Sequence, residues 1–126
     1  MAGKQDLDFT YTTIDEIFRL SMGETGDYSG AKYDGDFSMT LEAAQKAKHK
    51  FIADSLNITK GTKVLDMACG WAPFTRYIVK ERGAKSLGLT LSQGQADACQ
   101  KNGMIQIRFV SFISQVLGSC ISKILC

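Results

Sequence analysis

Short apolar runs and helically spaced apolar residues alternate along the second half of the chain. Val64-Leu65 leads into Asp66-Met67 as a brief buried strand, and Ser86-Leu87-Gly88-Leu89-Thr90 and the stretch Ile105 to Val110 repeat the form. Between the first two, Phe74, Tyr77 and Ile78 recur at helical spacing. Pro73 stands where its fixed φ suits a first helical turn, and Gly83 where a helix stops. Ser92-Gln93-Gly94-Gln95 has capping-box form and opens another helix, running to about Asn102 before Gly103. The order β-α-β-α-β predicts an α/β fold with parallel strands and right-handed crossovers.

Upstream, residues 1–11 are polar, and Thr13-Ile14-Asp15-Glu16 is a second capping box. Ile14, Ile17 and Phe18 follow it as a short amphipathic helix ending at Gly23. Glu24 to Ser38 is acidic and rich in glycine and tyrosine. This predicts a loop whose rings pack on something or line a site, with a plain surface loop as the competing reading. Thr40 caps a helix over roughly 41–57 with Leu41, Ala44, Phe51, Ile52 and Leu56 on its apolar face. Lys46, Lys48, His49 and Lys50 read as its solvated face, against a competing contact with anionic headgroups at a membrane surface.

Downstream of Gly103 there is no acid, and apolar residues crowd up to Cys126. A buried strand plus helix, a tail anchor and an aberrant end all remain open, although Gln106, Arg108, Gln115 and Lys123 interrupt any spanning run. Lys123, fourth from the end, excludes prenylation of Cys126.

At 126 residues the chain is one domain, and its net charge of +2 is not gathered into a basic block, so no nucleic-acid partner is expected. Cys69, Cys99, Cys120 and Cys126 form no CxxC pair, and His49 is the only histidine. Neither a disulfide framework nor a metal site is expected, and with no secretory signal the chain reads as cytoplasmic.

The chemistry concentrates in Lys63 to Pro73: strand, small-residue loop, helix N-terminus. Such a turn brings backbone N–H groups and the positive end of the helix dipole near a ligand, as in nucleotide sites of doubly wound sheets. Ala68, Gly70 and Ala72 take alternating small positions in place of the three-glycine dinucleotide fingerprint. Thr90, 20 residues beyond Gly70, stands where an NAD site carries an acid. NAD is thereby disfavoured, and no P-loop motif is present.

Five blocks in order and spacing resemble the S-adenosylmethionine-dependent methyltransferases of the cyclopropane-fatty-acyl-phospholipid synthase and mycolic acid cyclopropane synthase family, which includes coclaurine N-methyltransferase. They are Tyr11 to Met22, Tyr28 to Tyr33, Met39 to Gln45, Val64 to Ala72 and Gly88 to Gln95, and the resemblance covers about residues 9–103. The resemblance implies a Rossmann-like class I methyltransferase fold with an incomplete parallel sheet and N-terminal helices. Its implied parts are a helix and covering loop (1–38), a cofactor-binding half (39–110) and an atypical tail (111–126). It also implies S-adenosyl-L-methionine as cofactor, cradled by Asp66, Ala68, Cys69, Gly70, Trp71 and Ala72. Tyr28 and Ser29 would close over its methionine part, and Thr90, Leu91 and Gln95 would hold its adenosine.

The implied methyl acceptor is a lipid or a small-molecule amine, with catalytic residues beyond the matched blocks. Ala68 and Ala72 replace family glycines. Gly30 replaces the cysteine that cyclopropane synthases carry beside a bicarbonate base, which speaks against cyclopropanation itself. Family members are more than twice this long, so a non-catalytic product that binds cofactor or pairs with a longer relative is the competing expectation. An exposed sheet edge would favour self-association.

Overall fold

The computed structural model describes residues 9–10, 13–14, 17, 21–22, 26–101 and 106–109. Of the helix expected from Thr13 to Gly23, Thr13, Ile14, Ile17 and Ser21 are helical, and so are Phe9 and Thr10 in the segment expected to precede it. The capping partner Glu16, the stop at Gly23 and the tail beyond Phe109 lie outside the described residues.

Helix α1 spans Leu41–Ser55 and begins where Thr40, in extended conformation, accepts a hydrogen bond from the Ala43 N–H at 3.2 Å through its hydroxyl. The helix ends two residues earlier than expected, where Asn57 turns left-handed. Strand β1 (Lys63–Met67) follows, then α2 (Pro73–Arg82), β2 (Lys85–Thr90), α3 (Gln93–Lys101) and β3 (Gln106–Phe109). Pro73 opens α2, and Gly83, left-handed, closes it.

The strands pair in parallel in the order β1-β2-β3, as the β-α-β-α-β pattern predicts. Met67 pairs with Leu89 and Thr90 with Phe109, so the carboxyl ends of all three strands reach the same side. Among the described residues, the outer edges of β1 and β3 have no strand partner.

The core is built from small side chains. Ala53, Ile58, Ile78 and Ala84 form one buried cluster, backed by Val64, Phe74 and Tyr77. Cys69, Ala72, Ala96 and Cys99 form a second, which presses α3 onto the loop after β1. That loop is fixed to the neighbouring strand by a hydrogen bond from the Cys69 N–H to the Leu89 carbonyl at 2.9 Å.

The apolar face of α1 differs from the expected one. Phe51 and Leu56 are exposed, whereas Ala44, Gln45, His49 and Ala53 are buried. The solvated reading of Lys48 and His49 is therefore corrected: both turn inward onto a buried carboxylate, Asp27. Burying the charged face is permitted because each polar group finds a partner there.

Candidate cofactor site

The loop after β1 carries three left-handed residues at alternate positions, Ala68 (φ 62°), Gly70 (φ 57°) and Ala72 (φ 59°). This zigzag reverses the chain between the strand and α2, and the Ala72 N–H closes a turn onto the Cys69 carbonyl at 2.8 Å. Alanine pays on the order of 1–2 kcal/mol in this conformation, a cost that glycine avoids. A Cβ placed on Gly70 would meet no atom within 4 Å, so this residue faces open space.

The open space is a cavity of about 320 Å³ at the carboxyl end of β1. Ligand pockets start at roughly this size. Asp66, Ala68, Cys69, Gly70 and Trp71 form its floor; Tyr28 and Ser29 come from the preceding loop, and Lys48, His49 and Ile52 from α1. Tyr28 stacks on Trp71 with ring centroids 5.0 Å apart, so the aromatic loop does pack on the site. Trp71 is buried, and its indole N–H has no hydrogen-bond partner among the described residues. A buried donor left unpaired costs about 1–3 kcal/mol.

Asp66 stands at the end of β1, where its Oδ2 accepts from the buried Thr75 hydroxyl at 2.6 Å. Burial raises its pKa above the usual carboxylate range, and the Thr75 bond pulls the other way. Burial, with the negative charge of Asp66 nearby, pushes the Cys69 thiol up to about 12. Cys69 is thus a packed neutral thiol and not a nucleophile.

The four remaining expected site residues stand off this cavity. Ala72 is fully buried in the cluster beneath the loop. Thr90 and Gln95 are buried against each other, the Thr90 hydroxyl donating to Gln95 Oε1 at 2.5 Å, and Leu91 beside them is half exposed. The expected capping box is half formed: Ser92 Oγ accepts from the Gln95 N–H at 3.3 Å, but the Ser92 N–H turns to Thr90 Oγ1 at 3.2 Å. Thr90 has taken the position that a capping glutamine side chain would fill.

Asp27, Lys48 and His49 line the cavity and were not read as site residues from the sequence. Their signal was present in α1: Ala44, Gln45, Lys48, His49, Ile52 and Ala53 fall on one helical stripe, and polar residues interleaved there with apolar ones mark a buried polar cluster. Nothing comparable announced the acid facing them. Among the described residues, no group of three or more acids, cysteines or histidines could hold a metal ion, and no helix is long and apolar enough to cross a membrane.

The family model "Mycolic acid cyclopropane synthetase" matches residues 3–107. Cyclopropane mycolic acid synthase 3 of Mycobacterium tuberculosis is 38% identical over 91 residues, which cover 72% of this chain and 31% of the relative. The chain thus spans about a third of the length of that relative. A crystal structure of a mycolic acid cyclopropane synthase complexed with SAH and CTAB superposes with a TM-score of 0.73 at 30% identity, over 86% of this chain and 40% of that one. Coclaurine N-methyltransferase bound to N-methylheliamine and SAH shares the fold, with a TM-score of 0.68 at 20% identity over 75% of this chain and 29% of that one. The Rossmann-like expectation is borne out, and the chain belongs to the mycolic acid cyclopropane synthetase family, with the class I methyltransferase fold.

Proposed function

We propose that this chain is the S-adenosylmethionine-binding half of a methyltransferase whose acceptor is an unsaturated fatty acyl chain of a lipid or a small-molecule amine. The observation that carries the reading is the cavity at the carboxyl end of β1, with an open glycine on its floor and the Tyr28–Trp71 stack beside it. The SAH held by the related synthase supports a nucleoside occupant. Bound S-adenosylmethionine would supply an electrophilic sulfonium methyl, which an electron-rich acceptor atom would take as the methyl–sulfur bond breaks and S-adenosylhomocysteine leaves, without a covalent enzyme intermediate.

The chain's residues then serve to position the ligand and exclude water. Asp66 to Ala72 form the cradle, in which Gly70 lets backbone approach. Tyr28 and Ser29 cover the methionine part, and Tyr28 on Trp71 shuts one side from solvent. Thr90 and Gln95 stand off the cavity and act on the adenosine side indirectly, their mutual bond setting the end of β2 beside the half-exposed Leu91.

A second reading is a chain that binds cofactor without turnover and associates with a longer relative or a second copy. The edge of β1, unpartnered among the described residues, favours it.

Calorimetric titration with S-adenosylhomocysteine tests the first reading. Micromolar binding, lost in Gly70→Val, is the expected result; a folded chain that binds none overturns it. Transfer of labelled methyl groups by the purified chain to unsaturated phospholipid vesicles or to an amine then separates the acceptors. Absence of turnover in a chain that binds selects the second reading.

A further inference from the structure

Asp27 is 4% exposed, and both its carboxylate oxygens are fully engaged. Oδ1 accepts from the Ser29 N–H at 3.1 Å and the Ser29 hydroxyl at 2.7 Å. Oδ2 meets Lys48 Nζ and His49 Nε2, each at 2.7 Å. Gln45, one turn earlier on the same face of α1, donates through Nε2 to the carbonyls of Asp27 (3.2 Å) and Ser29 (2.9 Å). Lys48 Nζ also donates to Ser29 Oγ at 2.6 Å. The helix therefore grips the strap on both sides of one residue, Tyr28, and that residue's ring lies on Trp71. His49 continues the connection to α2, its ring 5.8 Å from that of Phe74 and 5.5 Å from that of Tyr77.

We propose that Asp27 is a positioning residue, which with Gln45, Lys48 and His49 latches the Tyr28–Ser29 strap onto α1 and so presets the cover of the cofactor cavity. The inference rests on the cofactor reading above for its effect on affinity, but the latch itself is a property of the free chain. A loop held in its ligand-bound shape has less freedom to lose when ligand arrives. An aromatic cover delivered by an unfixed, glycine-flanked loop would have to be ordered at the moment of binding.

Trp71 is the only tryptophan in the sequence, so its fluorescence reports this stack alone. In Asp27→Asn the acrylamide quenching constant of Trp71 is expected to rise at least twofold, and the Kd for S-adenosylhomocysteine at least tenfold. Because Asp27 acts through Tyr28, the same substitution made in Tyr28→Ala should change Kd by less than twofold. Unchanged quenching, or an equal loss of affinity in both backgrounds, overturns the latch. Lys48→Met, at a half-buried position, carries the same measurements if Asp27→Asn does not fold, with smaller shifts in the same direction; no shift there overturns the proposal. If the wild-type chain binds no S-adenosylhomocysteine, the cofactor reading falls, and quenching alone decides the latch.

Discussion

Thr90 donates its hydroxyl proton to Gln95 Oε1 across the turn between β2 and α3, at 2.5 Å and with both side chains buried. The same hydroxyl oxygen accepts from the Ser92 N–H, so one threonine shapes the turn that ends the strand and starts the helix. Thr90→Val keeps the shape but leaves a buried amide oxygen and a buried N–H without this partner. Thermal unfolding should show a loss of about 1–3 kcal/mol, whereas Thr90→Ser should lose less than half of that. Equal losses would mean that packing of the threonine methyl matters as much as the hydroxyl, and an unaffected Thr90→Val would mean that the hydroxyl does not hold the turn.

Ala68 and Ala72 share a left-handed backbone but not an environment. Ala68 is exposed; Ala72 is fully buried against Cys69, Ala96 and Cys99. Ala68→Gly relieves about 1–2 kcal/mol of strain and adds about 0.5–1 kcal/mol of unfolded-chain entropy, so a net gain of roughly 0.5–1 kcal/mol is expected in urea unfolding. Ala72→Gly also deletes a buried methyl, worth roughly 1 kcal/mol, and should be neutral or worse. A destabilised Ala68→Gly would show that the left-handed turn is not strained.

These contrasts show which parts of the structure the sequence made legible. Pro73, Gly83, Thr40 and Ser92 act through local backbone chemistry, so the element boundaries they set could be read directly. The parallel order followed from short strands separated by helices. Asp27 could not be read in the same way, because its partners lie 21 and 22 residues away on a helix whose charges looked solvated. Nor did composition reveal that Thr90 and Gln95 would satisfy each other instead of both opening onto the cavity. Local signals gave the scaffold, and the long-range polar pairing within it had to be seen.

Cys69 tests the electrostatics of the cavity floor. Its thiol is pushed up to about 12 by burial and by Asp66, whereas an unfolded cysteine titrates near 8.5. The neutral thiol thus stabilises the fold below about pH 8.5, and this contribution is lost as pH rises toward 12. Iodoacetamide at pH 8 should leave Cys69 unmodified in peptide maps of the native chain and label it in urea. Rapid native labelling would mean that the loop opens far more readily than its bond to Leu89 suggests.

Asp27 predicts the acid limit of the fold. Burial alone would raise its pKa, but hydrogen bonds from His49, Lys48 and Ser29 outweigh burial and hold the carboxyl well below the usual range. An unfolded aspartate titrates near 4, so the stabilisation is complete above that pH and declines as pH falls toward the lowered folded value. Asp66, whose pKa is raised, acts in the opposite sense and gains stability on protonation. Comparing the wild type with Asp27→Asn removes the Asp66 contribution, since both chains carry it. The stability gap in urea should be widest near neutral pH and narrow steadily below pH 4. Its neutral-pH size should fall short of the roughly 3–5 kcal/mol for breaking a fully buried pair, because Lys48 can turn its ammonium to solvent. A gap that stays constant down to pH 2 would mean that the aspartate contributes through packing and not through its charge.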